Sequence, residues 1–239
     1  MNEGIVVIPT YNEIENIETI IRAVFSLPTS FDVLIVDDNS PDGTAQKVKE
    51  LQKEFSGLFL EVRPGKAGLG TAYVFGFKWA IRKKYEYIFE MDADFSHNPE
   101  DLEKLLAACK KGADMAIGSR YSTGVNVVNW PLSRVLLSYY ASVYVKMITG
   151  MKIHDATAGF ICYKRKVLES VNLDNIKFVG YAFQIEMKYR TFINGFNIVE
   201  VPIIFTDRTK GQSKMSNAII KEAVFGVVSL RMKKMLNRL

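Results

Sequence analysis

Two aspartates one residue apart, Asp92-Ala93-Asp94, follow the apolar run Tyr87–Met91. Alternation along an extended chain points both carboxylates the same way. Neighbouring carboxylates repel unless a cation lies beside them. A hard divalent ion, held by one or two carboxylates plus substrate phosphates, meets that need. Asp-x-Asp is a weak motif alone and a better one at the end of a hydrophobic strand. Two more apolar runs end in polar residues: Pro9-Thr10-Tyr11-Asn12-Glu13 and Val36-Asp37-Asp38-Asn39-Ser40-Pro41-Asp42-Gly43-Thr44. Turn formation explains any one of these. Three on one edge point to a ligand site, because open parallel sheets bind ligands beyond the carboxyl ends of their strands.

Other chemistry is thinly represented. Arg63-Pro64-Gly65-Lys66-Ala67-Gly68-Leu69-Gly70-Thr71 is a basic loop entering a helix, which suits phosphate. A plain loop and helix cap explains it equally well. It is neither a Walker A loop nor a Gly-x-Gly-x-x-Gly fingerprint. His97 and His154 lack zinc spacing, and no Gly-x-Ser-x-Gly or Cys–His pair appears, which argues against a nucleophile-based hydrolase.

The elements that must position these residues are legible as alternating patterns. Ile5–Pro9, Val33–Asp37, Phe59–Val62, Tyr87–Met91 and Met115–Gly118 read as short buried strands. Helical patterns lie between them at Glu13–Leu27, Thr44–Phe55, Gly70–Lys83 and Pro99–Lys110, the last opened by Asn98-Pro99. Later come an apolar run Phe160–Tyr163, a helix near Ala182–Asn194, a strand near Ile198–Ile204 and a helix from about Ser216. This order predicts an α/β domain with a mostly parallel sheet covered by helices. No linker or repeat divides the chain, so one domain is expected.

With 239 residues, 48% hydrophobic and 24% charged, the chain can bury a substantial core, and disorder is excluded. No stretch of 18 apolar residues suggests a membrane span, and Met1–Glu13 does not read as a signal peptide. Cys109 and Cys162 lie far apart and fit a reducing compartment. From Thr206 onward there are eight Lys/Arg against two acids; the rest holds 23 against 24. The positive charge therefore sits in the tail, which suggests phosphate, nucleic acid or an anionic membrane, or simply a solvated helix face. Pro131–Ile148 carries only Arg134 and Lys146 among apolar residues. Ser216–Leu236 sets Ile219, Ile220, Ala223, Val224, Val227 and Leu230 against Lys221, Glu222 and Lys233. Either helix can pack on the core. Two together raise the expectation of a membrane-surface role. Ala223–Leu230 is too short to cross a bilayer, and Arg231, Lys233, Lys234 and Arg238 place cations beside it.

The strand-end segments above, with Gly118-Ser119-Arg120-Tyr121, resemble family 2 glycosyltransferases of the GT-A fold. Asp155-Ala156-Thr157-Ala158-Gly159-Phe160 and Arg208-Thr209-Lys210-Gly211-Gln212-Ser213-Lys214-Met215 narrow the resemblance to the dolichol-phosphate (polyprenol-phosphate) mannosyltransferase type. It implies a Rossmann-like GT-A domain over residues 1–215 and a basic amphipathic helix over 216–239, on the domain or at a membrane. It also implies an inverting, metal-dependent transfer of mannose from GDP-mannose to polyprenyl or dolichyl phosphate, giving a β-linked product.

By the same resemblance, Pro9, Tyr11, Glu13, Val36 and Asp38 would hold the nucleotide base. Asp92, Ala93 and Asp94 would bind sugar, diphosphate and Mg2+ or Mn2+, with Asp94 the main ligand. Ser96 stands where the family often has a Gln ligand, and Ala158 where it has Ser. Arg120 would contact the transferring phosphates or the acceptor, while Arg208 and Lys214 would cover the diphosphate, with Met215 and Ser216 closing that signature. A lipid monophosphate, with a second pKa of about 6, is already a nucleophilic anion near pH 7. The site must bring two anions together rather than supply a base, and the metal, Arg120, Arg134, Arg208 and Lys214 are the cations for it. Arg134 and Ser138 share a helix face, and an Arg among apolar residues needs a partner, either the lipid phosphate or an acid of the chain.

Three other readings compete. One keeps the fold but moves glucose or an aminosugar from a UDP donor. A nucleotidyltransferase would usually carry a glycine-rich basic loop after the first strand, where this chain has the acidic, glycine-free Pro9–Glu13. A catalytically dead binder is disfavoured by the intact Asp92, Asp94, Arg208 and Lys214. The leading reading places the chain in the cytoplasm, peripheral on the cytoplasmic membrane face, with no nucleic-acid partner. Relatives of this type differ in carrying C-terminal spans or needing a subunit, so a membrane-anchoring partner is compatible with it.

Overall fold

The computed structural model describes residues 2–207 and 217–236. Its strands are β1 (Gly4–Thr10), β2 (Asp32–Asp37), β3 (Leu58–Val62), β4 (Tyr87–Glu90), β5 (Met115–Ser119), β6 (Val127–Val128), β7 (Ile161–Lys164), β8 (Ile198–Pro202) and β9 (Phe205–Thr206). Seven form one sheet in the order β3-β2-β1-β4-β7-β5-β8. All run parallel except β7, which lies antiparallel between β4 and β5. Strands β6 and β9 pair separately. The α/β architecture with a mostly parallel sheet is as the sequence predicts.

Helices α1 (Ile17–Phe25), α2 (Thr44–Leu51) and α4 (Asp101–Lys110) cover one face of the sheet, with Val6, Ile8, Val33 and Ile35 pointing into them. Helices α3 (Leu69–Arg82), α6 (Arg165–Ser170) and α7 (Tyr181–Ile193) cover the other, over Ile5, Val7, Leu34 and Val36. Successive residues of β1 and β2 thus feed opposite cores, so the strands read as unbroken apolar runs. Gly76 lets α3 lie directly on β1, since a Cβ there would fall 2.4 Å from a methyl of Val7.

Helix α5 (Leu132–Thr149) and α8 (Asn217–Met235) pack on each other, and α8 also packs on α7. Val145, Val227 and Leu230 join the core. Leu132, Leu136, Tyr140 and Met147 of α5 are exposed, as are Phe225, Val228, Met232 and Met235 of α8. Among the described residues, no helix is long and apolar enough to cross a membrane.

Several boundaries move. Helix α1 starts at Ile17 rather than Glu13, because Glu13–Asn16 forms a turn whose carbonyls accept from the helix's first amides. Helix α2 ends at Leu51, and the chain then turns through Gln52–Glu54. The strand expected at Ile198–Ile204 breaks after Pro202 and resumes as β9.

Candidate active site

Three strands of the sheet deliver the predicted polar residues to one edge. Each exit contains a residue in the left-handed region: Asn12 (φ 60°) after β1, Asn39 (φ 57°) after β2 and Phe95 (φ 59°) after β4. Asparagine tolerates that conformation; a bulky phenylalanine there is an outlier of the kind that gathers at functional sites. At Phe95 the backbone doubles back so that the Ser96 amide donates to Asp94 Oδ1 at 3.0 Å.

The first two exits are laced together. The Thr10 hydroxyl and the Ser40 amide and hydroxyl all donate to Asp37, at 2.7, 2.8 and 2.6 Å. The Ile14 amide donates to Asp42 Oδ2, and the Glu13 amide to Thr44 Oγ1. Asp37 and Asp42 are therefore scaffold. Asp38 is buried, and the Arg63 Nε donates to it at 2.6 Å while Nη1 donates to Thr71. Lys66 sits 4.7 Å from the Tyr11 ring centroid. The basic loop read as a phosphate binder thus uses Arg63 and Lys66 to buttress Asp38 and Tyr11, two of the residues expected to hold the base. Pro9 and Glu13 are half-buried beside them, and Val36 is fully buried in the core beneath.

At the β4 exit, Asp92 is half-buried and accepts from the Tyr73 hydroxyl at 3.2 Å. Burial and the Asp92 charge push the Tyr73 phenol well above its ordinary range, so it remains a donor. Ala93, Asp94 and Ser96 are buried, and the Ser96 Oγ has no hydrogen-bond partner among the described residues. Two carboxylates and an unsatisfied hydroxyl on one strand end fit a hard divalent cation that takes its remaining ligands from phosphate and water. Among the described residues no cluster of three His, Cys, Asp or Glu forms a closed metal cage.

A continuous run of contacts leads from this edge to α5. The buried His97 ring stacks on Phe160 at 4.9 Å and meets Phe205 edge-on at 5.2 Å. Burial, against the opposing pull of Asp94, lowers its pKa to about 4, so the ring is neutral. Phe205 abuts Trp130 at 5.2 Å. The guanidinium carbons of Arg120 and Arg134 lie 5.4 and 4.1 Å from the Trp130 ring centroid. Ser138 sits beside Tyr121, which follows Arg120. The residues predicted for the acceptor phosphate, Arg120, Arg134 and Ser138, are thus neighbours in space.

Two of the predicted cations are already paired with acids of the chain. Arg120, expected to meet phosphate directly, is turned inward. Its backbone amide, Nε and Nη2 donate to Asp155 at 2.9, 2.7 and 2.6 Å, and Nη2 also donates to Thr157. Burial alone would raise the Asp155 carboxyl, but Arg120 overrides it and holds the group below its ordinary value. Arg134, for which the sequence left a lipid phosphate or an acid of the chain as partner, donates to Asp207 at 2.8 Å. The acid lies 73 residues away in the chain, just before the segment that carries Arg208 and Lys214. Arg208, Lys214, Met215 and Ser216 themselves lie outside the described residues.

The sequence model described as "Glycosyl transferase family 2" matches residues 5–171, a stretch holding all three strand exits, Arg120 and Arg134. This chain is a family 2 glycosyltransferase. Relatives of this glycosyltransferase cover nearly its whole length. The polyprenol monophosphomannose synthase of Mycolicibacterium smegmatis is 46% identical over 98% of this chain and 89% of its own. The undecaprenyl-phosphate mannosyltransferase of Micrococcus luteus is 45% identical over 92% and 90%. Among solved structures, the glucosyl-3-phosphoglycerate synthase of Mycobacterium tuberculosis with Mn2+ and UDP-glucose superimposes with a TM-score of 0.68 at 17% identity, covering 99% of this chain and 79% of that one. The S. aureus TarS fragment 1–349 with UDP-GlcNAc gives 0.68 at 19% identity, covering 99% and 67%. At such identities the structures show the shared GT-A-like fold.

Proposed function

We propose that this glycosyltransferase moves mannose from GDP-mannose to the monophosphate of a polyprenyl lipid at a membrane surface, with inversion. One observation carries the reading most directly. His97, three residues after Asp94, and a pair of arginines on one indole ring are joined by a run of ring contacts through Phe205. A nucleotide-sugar diphosphate with a cation suits the Asp92–Asp94 strand end, and a second anion suits the arginines. The mannosyl donor and prenyl phosphate acceptor follow the names of the two relatives above, each about 45% identical.

Asp94, with Asp92 and the Ser96 hydroxyl, would hold Mg2+ or Mn2+, which when bound neutralises the donor diphosphate as it leaves. Asp38 and Tyr11, buttressed by Arg63 and Lys66, would hold the base. Arg134 and Ser138 would bind the acceptor phosphate, and Arg120 would act by fixing the Asp155–Thr157 loop beside it. The phosphate attacks as an anion, so cations rather than a proton acceptor set the rate. The exposed apolar side chains of α5 and α8 would meet the bilayer that holds the lipid.

The test is donor profiling. Purified enzyme is given radiolabelled GDP- and UDP-sugars with a polyprenyl phosphate, with and without Mg2+ or Mn2+. Label from GDP-mannose should enter the lipid in a metal-dependent way. Equal or greater transfer from UDP-glucose would replace the donor assignment.

A further inference from the structure

The chain contains two tryptophans, and they differ in one respect. The indole N–H of Trp79 donates to Glu61 at 2.8 Å. That of Trp130 is enclosed and has no acceptor among the described residues. An indole N–H can only donate. Its neighbours across the ring are two guanidiniums, also pure donors, and the Phe205 ring. The ring face is already in use, since a guanidinium carbon 4.1 Å from the centroid is in stacking contact. Trp130 immediately precedes Pro131, the extended residue that opens α5 one turn before Arg134. Ring and guanidinium are therefore fixed to the same helix start.

We propose that Trp130 belongs to the acceptor site: its ring holds the Arg134 guanidinium in place, and its Nε1–H donates to an oxygen of the bound phosphomonoester. The inference rests on the acceptor reading above and adds a residue to it. The Arg134 guanidinium and a surplus N–H suit an acceptor-rich anion, and a phosphomonoester offers three oxygens where the Asp207 carboxylate offers two. In this structure that carboxylate occupies Arg134. An incoming phosphate would compete with it on the same guanidinium.

The test uses farnesyl phosphate as the probe, without sugar donor, on the full chain. In a Trp79→Phe background Trp130 is the only tryptophan, so its emission should change saturably on titration. Trp130→Phe keeps a ring under Arg134 and deletes the N–H. By calorimetry it should bind farnesyl phosphate about fivefold more weakly, while GDP-mannose affinity stays within about twofold. Trp130→Leu removes the ring too and should lose about tenfold or more. Unchanged farnesyl phosphate affinity in Trp130→Phe would overturn the proposal, as would equal losses for both ligands. Inorganic phosphate binding as tightly as farnesyl phosphate would assign the site to the free ion and overturn the lipid part. If wild-type protein fails to bind farnesyl phosphate at all, the acceptor reading falls together with this one.

Discussion

The two sides of the candidate site are held in different ways. On the side proposed for the nucleotide, Thr10, Asp37, Ser40, Asp42 and Thr44 bond to one another across two adjacent strand exits, and most of their partners lie within about one β-α-β unit. On the side proposed for the acceptor, Arg120 and Arg134 are fixed by acids 35 and 73 residues away, and α5 and α8 leave apolar side chains uncovered. The first side is pre-shaped by short loops on a rigid sheet. The second depends on distant ion pairs and an apolar surface that a bilayer would cover. A rigid donor pocket suits a soluble ligand; an exposed, arginine-bearing face suits one that stays in a membrane.

Substitutions can break or sharpen this contrast. Asp94→Ala should abolish transfer, by about a thousandfold or more, and remove metal-dependent donor binding, because several kcal/mol of charge neutralisation is lost. Near wild-type turnover would remove Asp94 from the metal site. Asp155→Ala removes the carboxylate that accepts three bonds from the buried Arg120, and should lower unfolding stability in urea by about 3–5 kcal/mol. A loss under about 1 kcal/mol would mean that the acceptor side does not lean on this pair. Arg134→Ala should raise the acceptor KM by roughly tenfold to over a hundredfold, with donor affinity by calorimetry unchanged. Equal losses in both would make Arg134 structural and erase the division between the sides.

A smaller effect tests the buried loop support. Lys188 is fully buried, and its Nζ donates to the Ala158 carbonyl of the Asp155–Phe160 loop. Burial lowers its pKa from 10.5 to about 8. Between those values the unfolded chain binds a proton that the folded chain lacks, so stability rises with pH. It is lost as pH falls through about 8, where the folded state must carry a buried charge. Comparing wild type with Lys188→Met between pH 10.5 and 8 should therefore show about 2–3 kcal/mol more pH dependence in wild type. Parallel curves would show that the lysine is not the titrating group. Smallest of all, Phe225→Glu with Met232→Glu should weaken pelleting with anionic liposomes at low salt without lowering Tm, since both side chains are exposed. Unaltered pelleting would mean that α8 is not the docking face.

The sheet was legible because parallel strands buried on both faces spell continuous apolar runs, as Ile5–Pro9 and Val33–Asp37 do. The direction of β7 was not, since Ile161–Lys164 reads the same either way. Val127–Val128 and Phe205–Thr206 are too short to carry a period, and the break after Pro202 was hidden in an apolar run. At the site, Asp92, Asp94 and Asp38 stood out because acids close apolar strands there. Arg63 reads by its charge as a phosphate ligand, because its partner Asp38 is 25 residues away. The acids that hold Arg120 and Arg134 are invisible to local pattern for the same reason. Trp130 gave a sequence signal only as an aromatic before a helix-opening proline.

Strand β7 separates β4 from β5, although the chain makes it after both. Until Ile161–Lys164 emerges, β4 has an open edge on the side away from β1, and β5 has no route to the rest of the sheet. During synthesis β1–β4, joined by local crossovers, can close first, and the Asp92-bearing edge forms with them. The acceptor half must wait for a late strand to insert, as the last plank joins two spans of a bridge. Crowded, unpaired strand edges are where growing chains stick to one another. Between the synthesis of residues 90 and 161, then, β4 offers an open edge to other growing chains.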